Sequence, residues 1–512
     1  MSSSHTDLPD ANEDEDLILG EDEAAEEIPD DEDAPMDSGD DGEEEEEEEE
    51  IQLQNDSLAH FDAHTDSVFC ITSHPLDASL IATGSGDDTA YVFSTAHITS
   101  PVLPASYESN PAVGQARDSI KPIQKLEGHT DSVNAITWTL PKGEYLCTAG
   151  LDGNLRVYTT PSPATSAAYK FLAGAKGEVP EINFLTPCPH PAYPNTLALG
   201  ASDGSVWIYT IDPTSDPSAP LQVQHAYFMH TGSVTAGAWT PDGKLLATVS
   251  EDGSLYVWDP FGEAAAQGIK SEGQSIFRLT AADQRFEVEG GLYSIAISHT
   301  GSFLATGGGG GMIKIVGLPT LGAGAGAAPT QNKRAVKGKG GSSAAGGAGG
   351  RGRGGEGGGG GGGSQMGQIL ASLQAQTDGI ETLSFSSPPL TLLAAGSVDG
   401  SIALFDTAHS FAVRRHIRNA HDEFAVVKVE FLSPSPSTSS NPEGWLLTSA
   451  GMDGIVRRWD TRGGTAAAGM GLEKELKGHR GEGEGGGVLG FAQGGGKIIT
   501  AGDDGLSLVF GA

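Results

Sequence analysis

The chain has 512 residues, 69 Asp+Glu against 29 Lys+Arg, 74 Gly and a formal net charge of −40. Residues 1–50 hold 26 of the acidic residues and no Lys or Arg, leaving 43 acidic against 29 basic elsewhere. That split excludes one uniform globular body. No apolar run reaches the ~18 residues of a membrane span, and so acidic a chain is a poor match for nucleic acid, whose phosphates want Lys and Arg.

The first segment, residues 1–54, has too few apolar groups to offset chain entropy and is expected to be a disordered acidic arm. It suits solubilisation and, equally, shielding of basic ligands within about a Debye length. Its start lacks the basic-then-apolar pattern of a secretory signal, so a cytoplasmic location is expected. Cys70, Cys147 and Cys188 form no metal spacing. Buried thiols in a reducing compartment are the expectation, with no metal and no cofactor.

Residues 55–512 repeat themselves. Each unit reads as apolar strand, tight Asp/Gly turn, apolar strand with period-two alternation. Copies end at Phe93, Tyr158, Tyr209, Asp259, Val316, Asp406, Asp460 and Phe510, the fifth being degenerate. The turn acid is Asp87, Asp152, Asp203, Asp252, Asp399, Asp453 or Asp504. A His-led segment and a further strand precede most copies, as in HTDSVFCI from His64 and HTGSVTAGAW from His230. Two copies carry a Trp-Asp pair, Trp258-Asp259 and Trp459-Asp460.

This pattern resembles the WD-repeat family, whose Gly-His and Trp-Asp signatures mark four-stranded propeller blades. The resemblance implies an all-β, eight-bladed propeller over 55–512, and the Gly/Ala-rich composition of about 321–364 is read separately as a disordered insert. The last copy stops after its third strand, and an orphan strand-like run, Ser57–Phe61, precedes the first His segment. That run is expected to supply the missing outer strand and close the ring.

At the spacing of the family's hydrogen-bond tetrad stand His230, Thr248, Asp252 and Trp258, and again His421, Ser449, Asp453 and Trp459. Three further copies keep three members: His64, Thr83 and Asp87; His129, Thr148 and Asp152; His479, Thr500 and Asp504. His, Ser/Thr and Asp suggest a hydrolase triad. An enzyme needs one site, however, whereas a repeat scaffold needs one clamp per blade. Structural clamps and no catalysis are expected.

Insertions fall mostly after third strands, on what such a fold makes its bottom face. The top loops are short, apart from 280–291, and lean acidic. Asp66, Asp131, Glu181, Glu251, Glu381, Asp422 and Asp503 form the candidate partner-binding set, suited to an Arg/Lys-rich peptide.

Three segments narrow the family: NDSLAHFDAHTDSVFCITSHP at 55–75, ASDGSVWIY at 201–209 and KIITAGDDGLSLVF at 497–510. They are similar to the WD-repeat chaperones of large-subunit ribosomal protein L-ten (Sqt type), related to angio-associated migratory cell protein. The resemblance implies a monomeric, non-enzymatic chaperone. It would hold the basic N-terminal segment of L-ten, on the nascent chain at the ribosome, for 60S subunit assembly. Neither membrane nor direct nucleic acid would be a partner. Two alternatives stand beside it: a signalling or trafficking scaffold, and an RNA-binding factor using the Arg/Gly insert.

Overall fold

A computed structural model describes residues 55–99, 118–161, 168–271, 274–322, 365–433, 442–462, 468–481 and 486–512. The acidic arm, most of the Gly-rich insert and the Ser/Pro loop lie outside the described residues.

Eight antiparallel sheets form the ring, one per repeat. Blade four is typical, with strands Val234–Trp239, Leu246–Ser250, Leu255–Trp258 and Ser275–Leu279 running from axis to rim. The hairpin turn between second and third strands needs one left-handed residue. Gly253 supplies it at φ 74°, Gly505 does so in blade eight, and Asp88 takes the role in blade one at φ 61°. The first strands stand innermost and touch in sequence, and that of blade eight (Val488–Gly494) meets that of blade one (Val68–His74).

No single core exists. Eight apolar clusters each fill the wedge between neighbouring blades, such as Ala82, Val92, Val133, Trp138 and Leu146 between blades one and two. An apolar layer on both faces of each sheet explains why the strands read as near-continuous hydrophobic runs.

The ring closes as the sequence predicts. Ala59–Phe61 pairs antiparallel with the last strand, Ala59 opposite Val509 and Phe61 opposite Ser507. Phe61 is fully buried and stacks on Phe93 of blade one at 4.3 Å, so closure welds blade eight to blade one. One feature was not foreseen. Asp118–Ser119 adds a parallel strand on the outside of Ala59–His60, with the Ile120 N–H donating to the His60 carbonyl at 2.8 Å. The closure strand therefore leaves an edge that the end of the 94–119 loop covers.

Blade five, degenerate in sequence, has all four strands, Leu292–Ile297, Phe303–Gly308, Met312–Gly317 and Ile369–Gln374. Its turn acid is replaced by glycine packing. A Cβ on Gly311 would stand 2.0 Å from the Gln376 carbonyl, an approach only glycine permits. The long 280–291 loop is pinned by the buried Phe286, which fills the wedge between blades four and five.

Phe61→Ala is expected to destabilise the ring by about 3–5 kcal/mol, and deletion of 55–62 by more. An unchanged thermal midpoint in the deletion variant would remove the closure strand from the account of stability.

Candidate functional site

Each top loop leads into an innermost strand, and each top turn leaves a second strand. The clamp residues join the two. In blade one His64 Nδ1 lies 3.1 Å from Asp87 Oδ2 and Nε2 lies 2.9 Å from Thr83 Oγ1. Blade two repeats this with His129, Asp152 and Thr148, and blade eight with His479, Asp504 and Thr500. In blade seven the Trp459 indole N–H extends the chain to Ser449 Oγ at 2.8 Å, and His421 meets Ser449 and Asp453. The pattern fits a neutral imidazole that donates from Nδ1 and accepts at Nε2.

Blade four departs from the expected geometry. Trp258, Thr248 and His230 are joined, but His230 Nδ1 bonds Ser254 Oγ at 2.6 Å, leaving Asp252 Oδ1 4.0 Å away. Asp252 accepts the Thr231 N–H at 2.6 Å instead, so the serine hydroxyl intervenes between ring and carboxylate. Blade six has no histidine at this place. Gln376 sits buried there and donates from Nε2 to the Ser401 carbonyl at 2.9 Å. The amide fastens the loop to Ser401 and does not bond the turn acid Asp399, which accepts the Thr377 N–H at 2.8 Å.

Burial sets the charge state of these groups. It pushes the His230 pKa down to about 4, against the smaller pull of Asp252. It also holds His129 and His421 below the ordinary histidine range. Asp252 is itself pushed up by burial, but the bonds from Ser254 and Thr231 prevail and bring it down to about 2. Asp453 behaves alike, with His421 and then Arg457 overriding burial.

The exposed carboxylates are a separate population. Asp66, Asp131, Glu181, Glu251, Glu381 and Asp422 are all exposed, on the top loops or at the innermost strand's start. Asp66 and Asp131 each accept the N–H of the following serine at 2.7 Å through Oδ1, which fixes the carboxylate. Two of the seven candidates are engaged elsewhere. Asp503 is half-buried and accepts the Ser67 hydroxyl at 2.6 Å, tying blade eight to blade one. Asp422 lies 3.9 Å from the Arg457 guanidinium, which also bonds Asp453 and Glu475. That buried arginine neutralises part of blade seven's contribution to the face.

A regularity absent from the sequence reading unites the eight blades. The first residue of every innermost strand is apolar and fully buried: Val68, Val133, Ile182, Val234, Leu292, Ile380, Val426 and Val488. The second residue is bulged out of the ladder in every blade. A bulge re-aims its side chain, and all eight are accessible: Phe69, Asn134, Asn183, Thr235, Tyr293, Glu381, Val427 and Leu489. They ring the channel mouth on the top face. Glu381 is the one carboxylate in this ring; though the residue reaches solvent, partial desolvation of its carboxyl group and then the charge of Asp378 raise its pKa. Such a carboxylate gains from any cation brought to it.

Five segments match the family described as WD domain, G-beta repeat: 55–94, 120–159, 221–259, 284–316 and 367–406. The fold is similar to Sqt1 of Chaetomium thermophilum bound to the N-terminus of the ribosomal protein L10, with 48% identity and a TM-score of 0.72, over 90% of this chain and 100% of that one. Ribosome assembly protein SQT1 of Saccharomyces cerevisiae is 30% identical over 239 residues, 46% of either chain, so that match spans about half of the yeast protein. Human angio-associated migratory cell protein is 23% identical over 86% of this chain and 75% of its own length.

Between pH 6.5 and about 4 the unfolded chain binds protons that His230 in the ring resists, so stability falls as pH drops through that window. His129 and His421 shift in the same direction. Thermal melts should show a loss approaching about 1.4 kcal/mol per pH unit from His230, with His129 and His421 adding in the same direction. A midpoint constant from pH 7 to 5 would contradict neutral clamps.

Proposed function

The chain belongs to the Sqt1 family of WD-repeat proteins, and on that premise we propose that it is a dedicated chaperone of ribosomal protein L-ten in 60S subunit assembly. It holds the basic N-terminal segment of that client, on the nascent chain, across the top of the ring. The observation that carries this reading is the set of exposed carboxylates on the top loops, Asp66, Asp131, Glu181, Glu251 and Glu381, two of them fixed by a backbone N–H. An extended Arg/Lys-rich peptide offers guanidinium forks that such carboxylates accept as charge-assisted hydrogen bonds. A convergent negative field also raises the encounter rate with a cationic partner.

Asp131 and Glu381 are the core of the contact, with Asp66, Glu181 and Glu251 supporting. Asp503 contributes its field while bonding Ser67, and Asp422 contributes least because Arg457 offsets it. Capture shields the client's cations from RNA and from aggregation. No bond is made or broken, so release follows from competition by the ribosomal site. The repeated His-hydroxyl-Asp clamps hold the loops that carry the carboxylates and do no chemistry.

The double reversal Asp131→Lys with Glu381→Lys is expected to weaken binding of a basic L-ten N-terminal peptide at least about tenfold, with the thermal midpoint unchanged. Binding should also weaken as salt rises. Full affinity in the double variant, measured by calorimetry, would rule out the top face. Asp503→Lys is a poorer probe, since it also breaks the bond between blades eight and one.

A further inference from the structure

The eight bulged residues are not alike, and their order around the ring is informative. Blades two to five carry amides and hydroxyls, several of them committed within the protein. Asn183 Nδ2 donates to Ser233 Oγ at 2.7 Å and to the Val234 carbonyl at 2.9 Å, fastening blade three to blade four. Thr235 Oγ1 donates to the Leu292 carbonyl at 2.7 Å, fastening blade four to blade five. Blade six carries Glu381. The remaining three, Val427, Leu489 and Phe69, are apolar and fall on consecutive blades seven, eight and one, across the closure point. Their innermost strands touch one another.

An apolar side chain at a position the bulge keeps accessible gains little from folding. Phe69 remains 41% exposed. It shares its place with a carboxylate: a methyl on Gly86 would stand 3.0 Å from the Asp66 carboxyl carbon and 3.2 Å from Phe69 Cε2. The arc is thus bounded by Asp66 at one end and Glu381 at the other. An apolar surface flanked by two carboxylates is complementary to an apolar residue flanked by cations.

We propose that the Val427–Leu489–Phe69 arc is a specificity subsite for one bulky apolar side chain set between the cationic residues of the bound peptide. The proposal rests on the top-face reading above and deepens it: charge brings the peptide to the face, and the arc selects its register. Purely cationic tails, which ribosomal proteins and other basic partners share, then bind without this anchor.

Two probes of equal charge test this on the full chain by fluorescence anisotropy. One is an Arg/Gly peptide, the other the same peptide with a central Gly replaced by Leu. The ring is expected to bind the Leu peptide about tenfold more tightly, the worth of one buried aliphatic side chain. That preference should persist at salt concentrations that weaken both peptides. Phe69→Ser and Leu489→Ser should each reduce the preference while the Arg/Gly affinity stays constant, with melting curves reporting the fold. Equal binding of the two peptides to the unaltered ring overturns the subsite and leaves the acidic face standing. Failure of both peptides to bind overturns the two together. A loss of Arg/Gly affinity in Phe69→Ser also overturns the subsite, because it would make the ring a stacking platform for guanidinium.

Discussion

The extra residue at the start of each innermost strand decides what this ring buries and what it offers. A regular ladder would send alternate side chains into the wedges on either side of a blade. The bulge interrupts that alternation once per blade, at the same height. The residue before it drops fully into the wedge, and the bulged residue is left at the channel mouth. Eight repetitions turn a local irregularity into a continuous ring of side chains. Because the buried neighbour anchors the blade, the bulged position is free to vary from Phe to Glu without cost to the core.

Carboxylates meet two opposite fates within a few ångströms of that ring. Those in the turns, such as Asp87 and Asp152, accept several hydrogen bonds from histidine, threonine and backbone N–H groups. Those bonds offset desolvation, and the charge is spent inside the fold. Those on the loops stay exposed, and Asp66 and Asp131 among them are each held by one backbone N–H. The first population fixes the loop shape that the second needs for convergence. Blade seven shows the boundary being crossed: Arg457 bonds the clamp acid Asp453 and reaches toward the loop acid Asp422. One buried cation there makes the face locally less negative without altering its backbone.

The blades were legible because strand, turn and strand recur with an acid at a fixed place. Four complete clamps, in blades one, two, seven and eight, were legible because His, Ser/Thr and Asp keep their spacing. Closure was legible because a third strand at the C-terminus had no outer neighbour. What escaped the sequence did so for physical reasons. Gln376 stands in the histidine's place but bonds Ser401 and not the turn acid Asp399, and an amide leaves no His spacing to read. Ser254 bonds the imidazole in blade four, whereas Thr89 at the same place in blade one turns its hydroxyl to Asp87 and leaves His64 to that acid, so spacing alone does not encode the difference. The strand Asp118–Ser119 is two residues long and lacks any pattern. The bulge leaves no residue signature, since its occupants range over aromatic, amide, hydroxyl, aliphatic and acid. The apolar arc was invisible for the same reason. Its members lie at the two ends of the sequence and meet only when the ring closes.

That last point ties closure to recognition. Val427 and Leu489 belong to blades near the C-terminus and Phe69 to the first blade, and the joint between them is made by Ala59–Phe61. Phe61 stacks on Phe93 beneath the surface, while Ser67, just ahead of Phe69, donates to Asp503 across the same joint. Direct contact of the two innermost strands and the bond from Ser67 to Asp503 hold the strands of Phe69 and Leu489 together, while the closure strand joins the blades farther from the axis. A propeller closed within one blade's own hairpins would hold this arc no more firmly than any other. Here the arc spans the joint between blades eight and one, where distant parts of the chain are held by Phe61 in the wedge and by Ser67 with Asp503 at the surface. Rigidity at that joint favours binding, because a surface already in its bound shape loses little entropy when a flexible peptide settles on it.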